Sequence, residues 1–253
     1  MNQMKNKVVA ITGAGGGMGK ELIKRFELAG AKVAVIDATE ETVQSGLSVS
    51  ESGALGIPMD ISNEASVETG FAKIIKHFGH IDTLVCAAGV RPMGNLVDMN
   101  LVDWNKCLAI NTTGLFLSSR VAARHMVNRR SGSIINIASV NGVRAVTGMG
   151  AYNASKAAVI SITQTLACEL ASQGVRVNAI LPAQVDTPMI AEQVGEERRR
   201  REERIPMARY GKPHEIATVA IFLASDGASF VTGHSMAVDG GYLALGFMPN
   251  IYR

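Results

Sequence analysis

The chain has 253 residues, 47% of them hydrophobic and 19% charged, with a formal net charge of +3. That balance carries no signal of disorder, and so small a charge is no argument for binding nucleic acid or an anionic membrane surface. No apolar run reaches the roughly 18 residues of a membrane span.

The cysteines, Cys86, Cys107 and Cys168, are odd in number and lack CxxC spacing, which fits a reduced, cytoplasmic compartment. The histidines are scattered and no metal site is expected. Met1 to Lys7 is polar and runs straight into a strand, so no signal peptide is expected.

Lys7 to Thr12 is a short, β-rich apolar run. It ends at Gly13-Ala14-Gly15-Gly16-Gly17-Met18-Gly19, and a helical pattern follows from Lys20 to Ala29. Strand, glycine turn, helix is the context of a phosphate-binding loop. Glycines let the backbone approach a pyrophosphate, and the helix N-terminus offers free N–H groups. A merely flexible turn is also glycine-rich. The spacing is Gly13-x3-Gly17-x-Gly19 rather than G-x-G-x-x-G, with Gly15 and Gly16 in the gap. A second strand, Lys32 to Ile36, ends in Asp37, where the ribose-binding carboxylate of NAD sites belongs. A carboxylate accepts hydrogen bonds from both ribose hydroxyls and repels a 2′-phosphate. Ala38 and Thr39 offer no base for that phosphate, so NAD is favoured over NADP. The alternative is that Asp37 caps a turn or helix.

Ala54 to Met59 reads as the third strand and leads to Asp60-Ile61. An acid there can reach an adenine amino group, or join Ser62 and Asn63 in a helix cap. Ala65 to Phe78 is an amphipathic helix, and Asp82 to Cys86 is the fourth strand, closing at Ala87-Ala88-Gly89. Leu101 to Met126 reads as one long helix with Asn111 inside it. Asparagine competes for backbone hydrogen bonds in such a place, and its neighbours Leu108, Ile110 and Leu115 predict that it is buried and paired. The fifth strand, Ser133 to Ala138, ends at Ser139. The next helix carries Tyr152 and Lys156 and runs to about Ser172. Residues four apart share a helix face, so phenol and ammonium reach one space. With the Ser139 hydroxyl they form what proton transfer to or from an alcohol oxygen needs. Val175 to Ile180 is the sixth strand, ending at Leu181-Pro182-Ala183, and Ser235 to Val238 is the last.

This alternation predicts one α/β domain over 1–253, a doubly wound parallel sheet of about seven strands with helices on both faces. The cofactor half spans about 7–140, and the catalytic and substrate half about 141–253. The candidate residues fall near the C-terminal ends of strands, where open α/β sheets bind ligands. Residues 187–212 read as a lid. The arginine run Arg198 to Arg201 within it invites a nucleic-acid reading. Glu196/Arg200 and Glu197/Arg201 are favourable i,i+4 pairs, however, and the acids cancel the field, so a solvated helix is expected. The apolar tail from Tyr242 to Tyr252 predicts subunit contacts.

From about Lys7 to Gly241 the chain resembles a short-chain dehydrogenase/reductase. The resemblance rests on Thr12-Gly13-x3-Gly17-x-Gly19, Asp60, Ala87-Ala88-Gly89, Asn111, Ser139, Tyr152-x3-Lys156 and the Pro182 segment, in this order and spacing. It implies a Rossmann-type fold, a nicotinamide cofactor, interconversion of alcohols and carbonyls, and a homotetramer or homodimer. It implies cofactor contacts from Gly13, Gly17, Met18, Gly19, Asp37, Asp60, Ile61, Ala88, Gly89, Tyr152, Lys156, Pro182 and Thr187. Tyr152 is then the general acid/base, its phenol lowered by Lys156 and the positive nicotinamide. Ser139 orients the substrate oxygen, and Asn111 anchors a water that relays the proton through Lys156. Two departures stand out. Cys86-Ala87-Ala88-Gly89 replaces the usual Asn-Asn-Ala-Gly, and Pro182-Ala183 replaces Pro-Gly. An alanine does not readily take a positive φ, so either the backbone there is ordinary or the nicotinamide-side loop is shifted.

The loops facing the substrate hold Arg91, Met93, Asn141, Arg144, Val146, Met149, Gln184 and Met189. Arg91, Asn141, Arg144, Met149, Gln184 and Met189 are the candidate substrate contacts. Two arginines near an apolar wall point to a substrate with an acidic or strongly polar end, unless they face solvent or pair with acids. The expected activity is NAD-dependent interconversion of a secondary alcohol and a ketone. One rival is an NADPH-dependent reductase of 3-oxoacyl thioesters, against whose cofactor Asp37 speaks. The other is a non-catalytic nucleotide sensor, a class that commonly loses the tyrosine or lysine.

Overall fold

Along Val8–Thr12 (β1) every residue is buried, so inside and outside do not alternate. A strand covered on both faces is what a parallel sheet between two helical layers demands. The computed structural model, which describes residues 3–244, places β1 in such a sheet. The other strands are β2 (Lys32–Asp37), β3 (Leu55–Pro58), β4 (Thr83–Cys86), β5 (Gly132–Ile137), β6 (Val175–Pro182) and β7 (Ser235–Val238). Their order is β3-β2-β1-β4-β5-β6-β7, every pair parallel. The chain winds outward from β1 in one direction and from β4 in the other. The crevice at that switch is where such sheets bind ligands.

The helices are α1 (Gly17–Leu28), α2 (Glu40–Leu47), α3 (Glu64–Phe78), α4 (Leu101–Leu108), α5 (Leu115–Arg129), α6 (Gly150–Leu170), α7 (Gly195–Glu202) and α8 (Pro213–Ala224). On one face Leu22, Phe26, Val43, Ile216 and Leu223 of α1, α2 and α8 pack on Val9, Ile11 and Val35. On the other, Phe71, Ile74, Val121, Met126 and Val159 of α3, α5 and α6 pack on Ala10, Ile36, Leu84 and Val177. Each large side chain so buried contributes about 1.5–3 kcal/mol.

The caps resolve two sequence alternatives. Thr39 accepts from Thr42 N to start α2, so Asp37 is not that helix's cap. Asn63 accepts from Ser66 N to start α3, so Asp60 is not the cap of α3. The expected single helix over 101–126 is corrected: α4 and α5 are separated by a π-helical turn, Ala109–Gly114. Such a turn admits one extra residue. It leaves Asn111, at its centre, bonded to Val90 outside the helix. At the opposite end of the sheet the buried Asp82 accepts from Val8 N at 2.8 Å and pairs with His80 and Arg129, tying β4 to β1. Tyr242 and Leu243 pack against this chain's own core, and residues 245–252 of the predicted contact tail lie outside the described residues. No helix among the described residues is long and apolar enough to cross a membrane.

Candidate active site

Over the C-terminal ends of the strands lies a cavity of about 530 Å³. Its floor is backbone. Gly13 leaves β1 at φ +68°, and a Cβ there would stand 2.5 Å from Ala88 Cα. A Cβ on Gly19 would stand 2.3 Å from Gly13 O, and one on Gly15 would stand 2.2 Å from Thr42 O. The loop therefore packs against the next turns with no room for side chains, which is the reason for glycine at these positions. Gly16 precedes α1, and no side chain caps that helix N-terminus. Its first N–H groups and the positive end of its dipole remain for an anion. Such a cradle, which any Cβ would fill, fits the pyrophosphate of a dinucleotide.

Two carboxylates mark one end. Asp37 Oδ2 accepts from Gly15 N at 2.8 Å, and Oδ1 accepts from Ala38 N at 2.8 Å. Asp60 Oδ1 accepts from Ser62 N and Oγ at 2.9 and 2.7 Å. They are the only acids among the described residues lining the cavity, and no lysine or arginine follows Asp37 along the chain for several residues. Met18, Ile61, Ala88, Gly89, Pro182 and Thr187 line it too.

At the other end Ser139, Tyr152 and Lys156 converge. Ser139 closes β5 in an extended conformation, and its Oγ accepts from Asn141 N at 3.1 Å. Lys156 is buried, its Nζ donating to Ile137 O at 2.7 Å and lying 5.6 Å from the Tyr152 ring centroid. Burial pushes the Lys156 ammonium down to about 8. Burial also pushes the Tyr152 phenol above its ordinary value, while a hydrogen bond with Ser139 and the charge of Arg91 pull the other way. Desolvation outweighs these attractions. The Lys156 ammonium gives one of its three N–H donors to the Ile137 carbonyl.

Asn111 is buried, as expected, and stands just behind the cavity wall. Its Oδ1 accepts from Val90 N at 2.8 Å, and Nδ2 donates to Val90 O at 2.9 Å and to Ser155 Oγ at 3.0 Å. The amide thereby clamps the turn after β4 onto α6. A Cβ on Gly89 would approach Asn111 Oδ1 to 3.4 Å and Lys156 Nζ to 3.6 Å. Ser155 is a partner that sequence reading missed. A small hydroxyl three residues after Tyr152, on a buried helix face, was the signal.

Arg91, Asn141, Met149, Gln184 and Met189 line the cavity. Arg144 does not: it is exposed, beyond the tight turn that follows Ser139. Met93 is exposed and Val146 lines a separate surface pocket, so neither belongs here. Ala183 keeps a negative φ, so the backbone after β6 is ordinary. Sequence reading also missed Gln193 and Arg201, which join the wall from the segment 187–212. Thr187 and Pro188 of that segment reach the glycine loop, where a Cβ on Gly17 would meet Pro188 Cδ at 2.5 Å. In α7 the arginines are paired as expected: Arg200 with Glu196 at 3.1 Å and Arg201 with Glu197 at 2.7 Å.

Sheet order, glycine floor and the Ser139–Tyr152–Lys156 convergence define a class, the nicotinamide-dependent oxidoreductases with one Rossmann-type domain. The family model described as enoyl-(acyl carrier protein) reductase matches residues 13–243, and the chain belongs to the short-chain dehydrogenase/reductase family. It is 35% identical to 2-(S)-hydroxypropyl-CoM dehydrogenase 3 of Xanthobacter autotrophicus, over 96% of this chain and 99% of that one. It is 36% identical to a 3-oxoacyl-[acyl-carrier-protein] reductase of Thermotoga maritima, over 94% of this chain and 98% of that one. Levodione reductase shares the fold with a TM-score of 0.90 and 32% identity, over 96% of this chain and 100% of that one.

Proposed function

We propose that the protein is an NAD-preferring dehydrogenase that interconverts a secondary alcohol and a ketone, with Tyr152 as general acid/base. The observation that carries this is the buried Lys156 and the Ser139 hydroxyl gathered around one phenol, at the end of the cavity away from Asp37. The glycine loop Gly13, Gly17 and Gly19 holds the pyrophosphate. Asp37 accepts from the adenosine ribose hydroxyls and repels a 2′-phosphate. Asp60 faces the adenine amino group, and Lys156 holds the nicotinamide ribose. Bound there, the dinucleotide supplies the hydride acceptor.

Ser139 donates to the substrate oxygen and fixes its direction. Tyr152 takes the hydroxyl proton as the carbonyl forms. A phenol is a poor base at neutral pH, and Tyr152 is held above its ordinary value here. Base strength must therefore come from positive charge close to the phenolate: Lys156, Arg91 and the oxidised cofactor together. Asn111 positions the relay water through the main chain of its widened turn, because its amide is bonded to Val90 and Ser155. Residues 187–212 act as the lid that excludes water.

The test is NADH formation with a panel of secondary alcohols and hydroxy acids, run with NAD and with NADP. A higher kcat/KM with NADP overturns the Asp37 assignment. The similarity to the Thermotoga maritima enzyme supports a second reading, reduction of a 3-oxoacyl thioester with NADPH. Preferential turnover of acetoacetyl-CoA with NADPH would establish that reading instead. We further place the protein in the cytoplasm as a homo-oligomer. Leu101 and Val102 of α4, 68% and 75% exposed, support a subunit contact there.

A further inference from the structure

Arg91 follows the turn after β4 and reaches across the cavity to the lid. Its Nη2 donates to Met189 O at 2.9 Å and to Glu192 Oε1 at 2.7 Å. The side chain is only 10% exposed. Nε lies on the same edge of the guanidinium as Nη2, and it is buried with no acceptor. A buried charged donor left unmade is costly, and a native structure that keeps one calls for an explanation. A second such atom lines the same cavity, Gln184 Oε1, buried without a donor.

The charge around these atoms is one-sided. The lining acids, Asp37 and Asp60, both sit at the adenosine end, Asp37 as the last residue of β2 and Asp60 two residues past β3. Arg91 stands near enough to Tyr152 for its charge to act on the phenol. Glu192, which holds the other nitrogen, is 62% exposed and free to exchange Arg91 for water.

We propose that Arg91 is the anchor for a carboxylate on the substrate, so that the substrate is a hydroxy acid whose alcohol carbon lies between Arg91 and Tyr152. This rests on the alcohol–ketone reading above. In the free protein Glu192 holds the place of that carboxylate on Nη2. The substrate then takes the Nε–Nη2 edge, the geometry that guanidinium groups offer to planar carboxylates. Gln184 is left to accept from a hydroxyl or amide hydrogen of the ligand.

The test uses 3-hydroxybutanoate, 4-hydroxypentanoate and 5-hydroxyhexanoate, each beside its primary amide, with the full chain and NAD. The wild-type protein is expected to favour the best acid over its amide by about 30-fold or more in kcat/KM, the scale of one charge-assisted hydrogen bond. In Arg91→Met that ratio collapses toward one, chiefly through KM, while Arg91→Lys keeps an intermediate ratio. Glu192→Gln keeps the ratio or raises it. A wild-type ratio near one overturns the proposal. So does an Arg91→Met protein in which acid and amide fall equally. So does a Glu192→Gln protein that behaves like Arg91→Met, because Arg91 would then be only a latch for the lid. If no alcohol in the panel is turned over, the alcohol–ketone reading fails, and calorimetry judges the anchor alone. With the protein–NADH complex, 4-oxopentanoate should bind at least about tenfold tighter than its amide, and Arg91→Met should erase the difference. Equal affinities in the wild-type protein overturn the anchor.

Discussion

The two ends of the cavity are built by opposite means. At the adenosine end the walls are backbone, and Gly13, Gly15 and Gly19 stand where a Cβ would come within 2.2–2.5 Å of a neighbouring main chain. At the substrate end the walls are side chains brought from afar. Arg91 meets Met189 across 98 residues of sequence, and Asn111 meets Ser155 across 44. Backbone approach tolerates one residue type, so it leaves a spelled signature. A side-chain wall accepts whatever chemistry its ligand asks for, from any loop that arrives.

That contrast can be broken by substitution. Tyr152→Phe keeps the cavity and removes the proposed proton carrier, and kcat/KM should fall by about 10²–10⁴-fold with NADH affinity unchanged by fluorescence titration. Turnover near the wild-type level would remove Tyr152 from its role.

Lys156→Met sharpens the comparison from the stability side. The folded chain holds this lysine near 8 against an ordinary 10.5, a displacement worth about 3 kcal/mol. Between those values the unfolded chain carries the proton and the folded one does not. This residue's contribution to stability therefore rises with pH across that window, and its full penalty is present below pH 8. Chemical denaturation of Lys156→Met at pH 7 should give equal or greater stability with activity lost. The extra stability of the wild type on going from pH 8 to 10 should shrink in the variant. A less stable variant at pH 7 would mean that the bond to Ile137 outweighs desolvation.

The glycines give a matched pair. A Cβ on Gly19 meets the backbone of Gly13 at 2.3 Å, and no rotamer change relieves that. Gly19→Ala should raise the NAD dissociation constant by more than about tenfold and lower Tm by several degrees, since about 1 kcal/mol moves Tm by 2–4 °C at this size. Gly195, at the start of α7, has φ +57° and nothing within 4 Å. Gly195→Ala should cost only the left-handed backbone, about 1–2 kcal/mol, and leave NAD affinity alone. Smallest of all, Arg200→Ala removes an exposed pair with Glu196 and should leave Tm unmoved by calorimetry. A shift of several degrees there would mean that the arginine row does more than solvate the lid.

The same contrast explains what could be read in advance. The seven-stranded parallel sheet was legible because its strands are short, largely apolar runs that alternate with helical patterns, punctuated by glycine or by Asp37 and Ser139 at their ends. The Tyr152–Lys156 face followed from helical spacing alone. Arg91 and Arg144 looked alike in sequence, yet one lies in the cavity wall and the other on the surface. What separates them is the turn after Ser139, a matter of backbone direction that no spacing encodes. The break at Asn111 was half legible. Its burial and pairing were expected, but the partner that broke the helix, the main chain of Val90, lies on another loop.

That break sets a phase. A helix advances about 100° per residue, so one additional residue in Ala109–Gly114 rotates α4 against α5 by that angle. α4 turns Leu101 and Val102 outward, while α5 buries Leu117, Val121 and Met126. Deleting one residue from the turn would restore a continuous spiral. It would also carry the outward apolar stripe of α4 around toward the sheet and pull Asn111 off Val90. A single insertion therefore lets one length of chain keep two bearings at once, one face held for the crevice and the other presented to the outside.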